Sequence, residues 1–272
     1  SPYRSSSEYT FGNLGGSELG HTVNVDLRAK SASPNIQFTS SRNVQGTRPV
    51  SVLRMGGNHS NLPTEMLSSN WQTMTSSPFP VTTGNRTDFT QDVSVTAEDL
   101  KNYFFEAGTY TFRIDREASD PGGSATPFSY YTDVAIQVPA LSEISIGADG
   151  PVVGFDFNTL QHYSQGQSKV VPQQLKVSNN EDFELYVKSQ TNYFQKSGIQ
   201  SDIGADILQV GVDGLPMVTL SSTPQKIVSN GSPVLDQELD IRYTIPPEKA
   251  QSLVSKEKTT YSIDLIYSFT VH

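Results

Sequence analysis

The sequence predicts an all-β protein built from two tandem immunoglobulin-like β-sandwich domains related by internal duplication. Three observations predict this class: short segments of alternating apolar and polar residues, turn-forming clusters between them, and an ordered set of segments that occurs twice. The composition agrees, because charged residues make up only 17% and hydrophobic residues 35% of the 272 positions, and Ser, Thr and Asn are abundant. A jelly roll is the nearest alternative architecture.

Alternating segments occur along the whole chain. In each of them about every second residue is apolar, which places the apolar side chains on one face of a strand. The clearest examples are residues 22–27, 50–53, 109–114, 183–187 and 261–267. Clusters rich in Gly, Pro, Asn and Asp separate these segments and favour tight turns.

Two short helices are predicted at comparable places. In residues 96–104, Thr96 is a capping residue and is followed by two acidic residues in the first turn. In residues 246–254, two prolines precede Glu248. Each segment is long enough for one or two turns of helix.

The duplication is inferred from four elements that recur in the same order. In the first half, TMTSSPFPV is followed by TTGNRTDFTQDVSV, by the first short helix and by GTYTFRI. In the second half, VTLSSTPQKIV is followed by SNGSPVLDQELDI, by the second helix and by TTYSIDLIY. A single match of this kind is weak evidence, but four in register favour one β-domain present twice.

This interpretation divides the chain into four parts. Residues 1–20 are an N-terminal extension, residues 21–138 the first sandwich, residues 139–152 a linker and residues 153–272 the second sandwich. The linker contains Gly and Pro, although its SEISI segment could itself form a strand.

Charge and composition exclude several classes of function. A formal net charge of −9 opposes binding to nucleic acid, because affinity for phosphates comes largely from Lys and Arg. Cysteine is absent, so no disulfide is expected, and no apolar run approaches the roughly 18 residues that cross a bilayer. The first residues contain no apolar signal core, so we expect a processed product or a trimmed chain.

No pattern points to catalysis, and we expect that the protein is not an enzyme. The chain has no cysteine, no Gly-x-Ser-x-Gly elbow and four isolated histidines, although paired carboxylates of a glycosidase cannot be recognised from spacing. No His or Cys pair has the spacing of metal ligands, so calcium is the better metal hypothesis. Asp115, Glu117 and Asp120 offer three carboxylates in a predicted loop, and residues 179–182 offer a second group of oxygens. Acidic turns of this kind are common without any metal.

Aromatic residues in polar surroundings suggest a carbohydrate platform. Trp71, the single tryptophan, lies in the segment SSNWQTM, where it either stacks on a sugar or anchors the core. Tyr103 and Tyr163 are the other two candidates for glycan stacking. Exposed rings are required for this role.

The N-terminal extension contains a strand-like segment. Tyr9, Phe11 and Leu14 alternate with polar residues, and glycines follow. Such a segment can pair with an open sheet edge, in its own domain or in a neighbouring molecule, or it is a frayed terminus. In the last predicted strand, apolar residues either close the core of a domain or line a groove for a partner strand.

Cysteine-free sandwiches, a Tyr-rich final strand and a glycine-tethered N-terminal strand resemble bacterial cell-surface and fimbrial β-sandwich proteins. In pilus subunits of that group, an N-terminal extension of one subunit completes the sandwich of the next. The segment SNNEDFELYVKSQ is also similar to the early hairpin of secreted bacterial immunoglobulin-like repeats. The resemblance implies an extracellular structural or adhesive protein, plausibly a filament subunit, whose partners are other copies or related surface subunits. The alternative is a carbohydrate-binding module or lectin-like adhesin.

Overall fold

The computed structural model describes residues 8–13, 23–81, 91–119, 121–122, 127–147 and 150–270. The chain forms two compact units, Ser1–Ala140 and Leu141–His272. Both consist mainly of antiparallel strands, which confirms the all-β prediction. The division falls inside the expected linker, and the SEISI segment of that linker is a strand of the second unit.

The first unit, called unit 1, contains eleven strands and one helix within the described residues. They are β1 (Glu8–Asn13), β2 (Val23–Ser31), β3 (Asn35–Ser40), β4 (Gln45–Pro49), β5 (Arg54–Gly57), β6 (Glu65–Met66), β7 (Gln72–Thr73), β8 (Phe79–Val81), β9 (Gln91–Thr96), α1 (Ala97–Tyr103), β10 (Gly108–Ser119) and β11 (Phe128–Val138).

The second unit, called unit 2, has ten described strands and two helices. They are β12 (Ser142–Ile146), α2 (Leu160–Gln165), β13 (Gln167–Asn179), β14 (Phe183–Ser189), β15 (Tyr193–Lys196), β16 (Ile199–Gly204), β17 (Gln209–Val212), β18 (Val218–Thr219), β19 (Gln225–Gly231), β20 (Val234–Ile245), α3 (Pro247–Ser252) and β21 (Leu265–Ser268).

Strand pairings correspond between the two units. The first unit pairs β1 with β9, β9 with β5, β5 with β6, β3 with β4, and β2 with both β8 and β10. In the second unit the equivalent pairings are β13 with β20, β20 with β17, β17 with β18, β15 with β16, and β14 with both β19 and β21. All of them are antiparallel. The same topology in the same chain order is the arrangement expected of a duplicated domain.

Local elements correspond as well. A 3-10 turn precedes β5 at Val50–Val52, and another precedes β17 at Ala205–Ile207. The sequence predicted a strand at residues 50–53, and this prediction was wrong. The 3-10 turn buries both Val50 and Val52. A strand with one buried face would bury the same two residues, so the sequence pattern does not distinguish the two structures.

Both predicted helices are present. Thr96 caps α1, since its hydroxyl accepts a hydrogen bond from the backbone N–H of Asp99 over 3.1 Å. Pro247 is the first residue of α3, where its missing N–H breaks no helical hydrogen bond. The helix α2 was not predicted. It is a single short helix, capped by Thr159, without a buried residue.

Each unit has its own apolar core between its sheets. In the first core the ring of Phe38 stacks on that of Tyr110, and the ring of Phe104 meets Tyr110 at a tilted angle. The second core contains Leu175, Leu185 and Val210, all 0% exposed. Residues 151–158 run extended before α2, and their half-buried Val153, Phe155 and Phe157 pack against the second core.

Candidate functional site

The strand β10 of unit 1 is covered along both of its edges. On one edge, β3 pairs with its first part and β2 with its second part. On the other edge, β11 pairs with it from Gly108 to Ala118. Val134, Ile136 and Val138 of β11 pack against the first core, so β11 closes this side of the sandwich with apolar side chains.

The equivalent strand of unit 2, β21, is paired along only one edge within the described residues. That edge contacts β14. Just before β21, Ser262 exchanges two backbone hydrogen bonds with Gln195, and the carbonyl of Asp264 accepts from the N–H of Gln190. Because backbone groups alternate in direction along a strand, those of Ile263 and Leu265 point to the other edge.

The inward side chains of β21 are also less covered than those of β10. Along β10 the inward residues are at most 7% exposed, as seen for Tyr110, Phe112 and Ile114. The residues that face inward along and beside β21 are all half-buried, although they pack against the second core. We call them the apolar strip: Tyr261, Ile263, Leu265, Tyr267 and Phe269. An uncovered backbone edge and an incompletely buried apolar strip therefore occur on the same strand.

Two aromatic contacts hold the apolar strip in place. The hydroxyls of Tyr243 and Tyr267 are 2.7 Å apart and hydrogen-bonded. The rings of Phe183 and Phe269 meet edge to face at 5.3 Å. Burial raises the pKa of Tyr267 and that of Tyr243, so both hydroxyls stay neutral at physiological pH. These contacts tie two residues of the strip to neighbouring strands of unit 2.

This edge can form a ladder with an added strand. The backbone supplies hydrogen-bonding groups, and the strip supplies an apolar floor for alternate side chains of the added strand. In unit 1 both requirements are met internally by β11. No catalytic arrangement is needed for such a role.

The N-terminal residues predicted for strand donation lie in β1, as far as they are described. β1 pairs with β9 of the same chain, with Tyr9 opposite Val95. Phe11 belongs to the same strand, and Leu14 lies outside the described residues. The segment thus occupies in unit 1 the place that β13 has in unit 2.

The predicted stacking residues have different surroundings. The ring of Trp71 is 40% exposed and lies near the cations of Arg28 and Lys30. Tyr103 ends α1 and is half-buried against the first core. Tyr163 belongs to α2, where its hydroxyl donates to the carbonyl of Phe157 and its ring faces a lysine ammonium. Trp71 and Tyr103 share unit 1, and Tyr163 belongs to unit 2.

Two of the three carboxylates predicted to bind calcium lie on a strand and not in a loop. Asp115 and Glu117 both belong to β10, and Glu117 forms an ion pair of 2.6 Å with Arg28. Asp120 lies outside the described residues. Across the part of the chain that the structure describes, no group of three or more His, Cys, Asp or Glu residues is arranged to hold a metal ion.

The sequence pattern identified the apolar face of residues 261–267 but not the uncovered edge beside it. Whether a strand edge is covered depends on pairing with a strand that is distant in sequence. The alternation of apolar and polar side chains within one strand carries no information about that pairing. The strand β11 was recognised only as the last strand of the first domain.

The chain was compared with known families, curated proteins and solved structures, and a likeness was found to a solved structure. No family model and no curated protein matches the chain. The chain is similar to a chain of a solved chaperone–tip adhesin complex of CFA/I fimbriae biogenesis, with 12% identity and a TM-score of 0.35 over 100% of this chain and 92% of that one. Among the described residues, no helix combines the length and the apolar character required to span a membrane.

Proposed function

We propose that the protein is an extracellular structural or adhesive protein of the bacterial surface, a subunit that accepts a β-strand from a neighbouring subunit along β21. The observation that carries the proposal is the difference between β10 and β21. Equivalent strands of two equivalent units differ in whether a further strand covers them. Exposed strand edges favour pairing with another chain, and the apolar strip adds burial to that pairing.

The donor strand should have the character of β11. Its inward residues alternate with exposed ones, and Val134 and Ile136 reach the core from opposite Phe112 and Tyr110. A donor for β21 therefore needs apolar side chains at every second position. Tyr9 and Phe11 meet this requirement in sequence, whereas Leu14 is one position out of the alternation. Donation of this segment to a neighbour remains a prediction. It requires β1 to leave β9 in its own unit.

A synthetic peptide with the sequence of β11 tests the acceptor role. A strand that binds only the folded state stabilises it by mass action, so the melting temperature should rise with peptide concentration. A peptide in which the residues equivalent to Val134 and Ile136 are serine is the matched control and should have little effect. Absence of any shift with the β11 peptide would contradict the proposal.

Two variants of β21 locate the binding edge. Leu265→Pro removes a backbone N–H that points away from β14 and shortens an apolar side chain of the strip, so peptide stabilisation should be lost. Ile266→Ala changes an outward side chain that is 41% exposed, and stabilisation should persist. Circular dichroism establishes that both variants are folded. Equal peptide binding by both would count against β21.

Assembly is tested separately by electron microscopy of the purified protein. Filaments are expected under conditions in which β1 leaves β9 and pairs with β21 of a neighbour, and they should be absent for Leu265→Pro. Deleting residues 1–16 tests the donor prediction, because filaments that form normally without this segment exclude it as the donor. The acceptor role would survive that result.

A further inference from the structure

The outward face of the sheet around β10 carries a groove lined by several polar residues, whose exposed surface there is largely apolar. The groove has a volume of about 370 Å³ and lies where β2 ends and β3 begins. β2 and β3 run along the same edge of β10, and residues 32–34 interrupt them. Ala32 and Ser33 of this interruption line the groove. We call it the polar groove: Asn35, Gln37, Thr111, Arg113 and Asp133 are among its lining residues.

An exposed tyrosine stands beside the polar groove. Tyr131 is 60% exposed, and the guanidinium of Arg113 lies 4.0 Å from the centre of its ring. Arg113 also forms an ion pair of 2.7 Å with Asp133. The guanidinium contacts the ring, while much of the tyrosine side chain stays open to solvent.

Tyr131 begins a row of side chains that crosses four segments of the sheet. In register, Tyr131 of β11 lies opposite Asp115 of β10, and Asp115 lies opposite Lys30 of β2. The ammonium of Lys30 is 5.1 Å from the ring centre of Trp71, next to β7. We call this set the aromatic row: Tyr131, Asp115, Lys30 and Trp71. Its length is three strand spacings, or about 14 Å.

Charges on this face are balanced. Arg28 pairs with Glu117 at 2.6 Å, Arg113 pairs with Asp133, and Lys30 lies opposite Asp115. Asp26, which lies opposite Ser119 on the same face, adds one acidic side chain. The described part of the face is thus close to neutral and has no cluster of like charges to attract a charged partner. A protein partner is also disfavoured, because charged residues in the middle of the patch would lose their water on binding.

We propose that the polar groove and the aromatic row together bind an uncharged oligosaccharide. Amide, hydroxyl and paired charged groups donate to and accept from sugar hydroxyls, and the two exposed rings contact the apolar faces of sugar units at either end. Water bridges are compatible with this arrangement, because the face is open. The inference is independent of strand acceptance, since every residue in it belongs to unit 1.

The test is an immobilised array of uncharged tri- to hexasaccharides with their sialylated and sulfated counterparts. We expect binding to uncharged members that persists at 1 M NaCl, because no ion pairing with the glycan is involved. Binding confined to acidic glycans, or binding abolished by salt, would overturn the proposal. So would the absence of binding to any member.

Variants assign the binding to this face. Tyr131→Ala and Trp71→Ala should each weaken binding of the best uncharged array member by about tenfold, and Asn35→Ala should weaken it from the groove side without touching a ring. Tyr193→Ala is the matched control, because this ring of unit 2 is also 40% exposed. It should bind as the unaltered protein does. Thermal melts identify any variant that fails to fold. If the two ring variants fail to fold, the binding affinity of Asn35→Ala decides whether the glycan binds to this face. Unchanged affinity in the folded variants would overturn the assignment.

Discussion

Tyr243 and Tyr267 join two of the sheets of unit 2 through a hydrogen bond of 2.7 Å between their hydroxyls. Tyr243 belongs to β20 and is 5% exposed, whereas Tyr267 belongs to β21. The bond therefore ties the strand with the uncovered edge to the opposite layer of the sandwich.

Removing one of these hydroxyls should destabilise unit 2, because the other buried hydroxyl then loses its hydrogen bond. Removing both should cost less than the sum of the two single losses. Tyr267→Phe leaves the buried hydroxyl of Tyr243 without this partner, and we expect the free energy of unfolding to fall by about 1–3 kcal/mol. The double variant Tyr243→Phe/Tyr267→Phe should lose less than the sum of the two single losses. Urea unfolding followed by circular dichroism measures this cycle. Strictly additive losses would show that the hydroxyls do not interact.

The same pair predicts sensitivity to alkaline pH. Burial raises the pKa of both tyrosines above the ordinary value of about 10, so the folded state favours their neutral forms. Their contribution to stability is complete below about pH 10 and falls as the pH rises from there towards the folded-state pKa. The melting temperature should thus drop more steeply above about pH 10 in the unaltered protein than in the double Phe variant. Parallel pH profiles would contradict this expectation.

The cap of α1 should contribute measurably to stability. Thr96→Ala removes the acceptor of the Asp99 N–H and should cost about 1 kcal/mol, because α1 packs Leu100 into the core. Thr159→Ala removes the comparable cap of α2, which buries no residue, and should cost much less. Chemical unfolding of both variants provides the comparison. A larger loss for Thr159→Ala would be inconsistent with it.

Gly108 should resist substitution at the start of β10. Its φ of +151° is rarely adopted by residues with a side chain, and an added Cβ would lie 2.3 Å from the carbonyl oxygen of Thr39. We expect Gly108→Ala to cost about 2 kcal/mol or more. Gly46→Ala in β4 is the control, because its Cβ would have no contact shorter than 3.4 Å. Equal melting temperatures for Gly108→Ala and Gly46→Ala would show that a side chain at position 108 causes no strain.

The closing role of β11 can be tested by weakening its inner face. Val134→Ser and Ile136→Ser replace side chains that pack against the first core, and each should lower the free energy of unfolding by about 1–3 kcal/mol. Ala135→Ser changes an exposed residue between them and should be nearly neutral. The combined Val134→Ser/Ile136→Ser variant should also expose β10 to added strand peptides. If it remains as stable as Ala135→Ser, β11 does not close the sandwich.

Local features of the fold were predictable from sequence because they depend on neighbouring residues. Alternation identified segments around Thr109 and Phe183 as strands, and the capping pattern at Thr96 located α1. The run at Val50 was misread, since a tight turn can also bury two valines. The order of recurring elements revealed a common topology before any pairing was known.

Long-range features were not predictable in the same way. Alternation placed Leu265 and Tyr267 on one face but did not show that β21 has one paired edge. The aromatic row depends on the register that brings Tyr131, Asp115 and Lys30 side by side from three strands. Such registers are fixed by the packing of the whole sheet. For the same reason, Asp115 and Glu117 were expected in a loop and are strand residues.

The placement of β1 within unit 1 has a consequence for the direction of growth of any polymer. While β1 stays bound to β9, the molecule can receive a strand at β21 but has no equivalent strand to give away. A molecule that receives a strand and gives none away joins a single neighbour, and the polymer does not grow beyond it. It would stand at one extremity of a fibre.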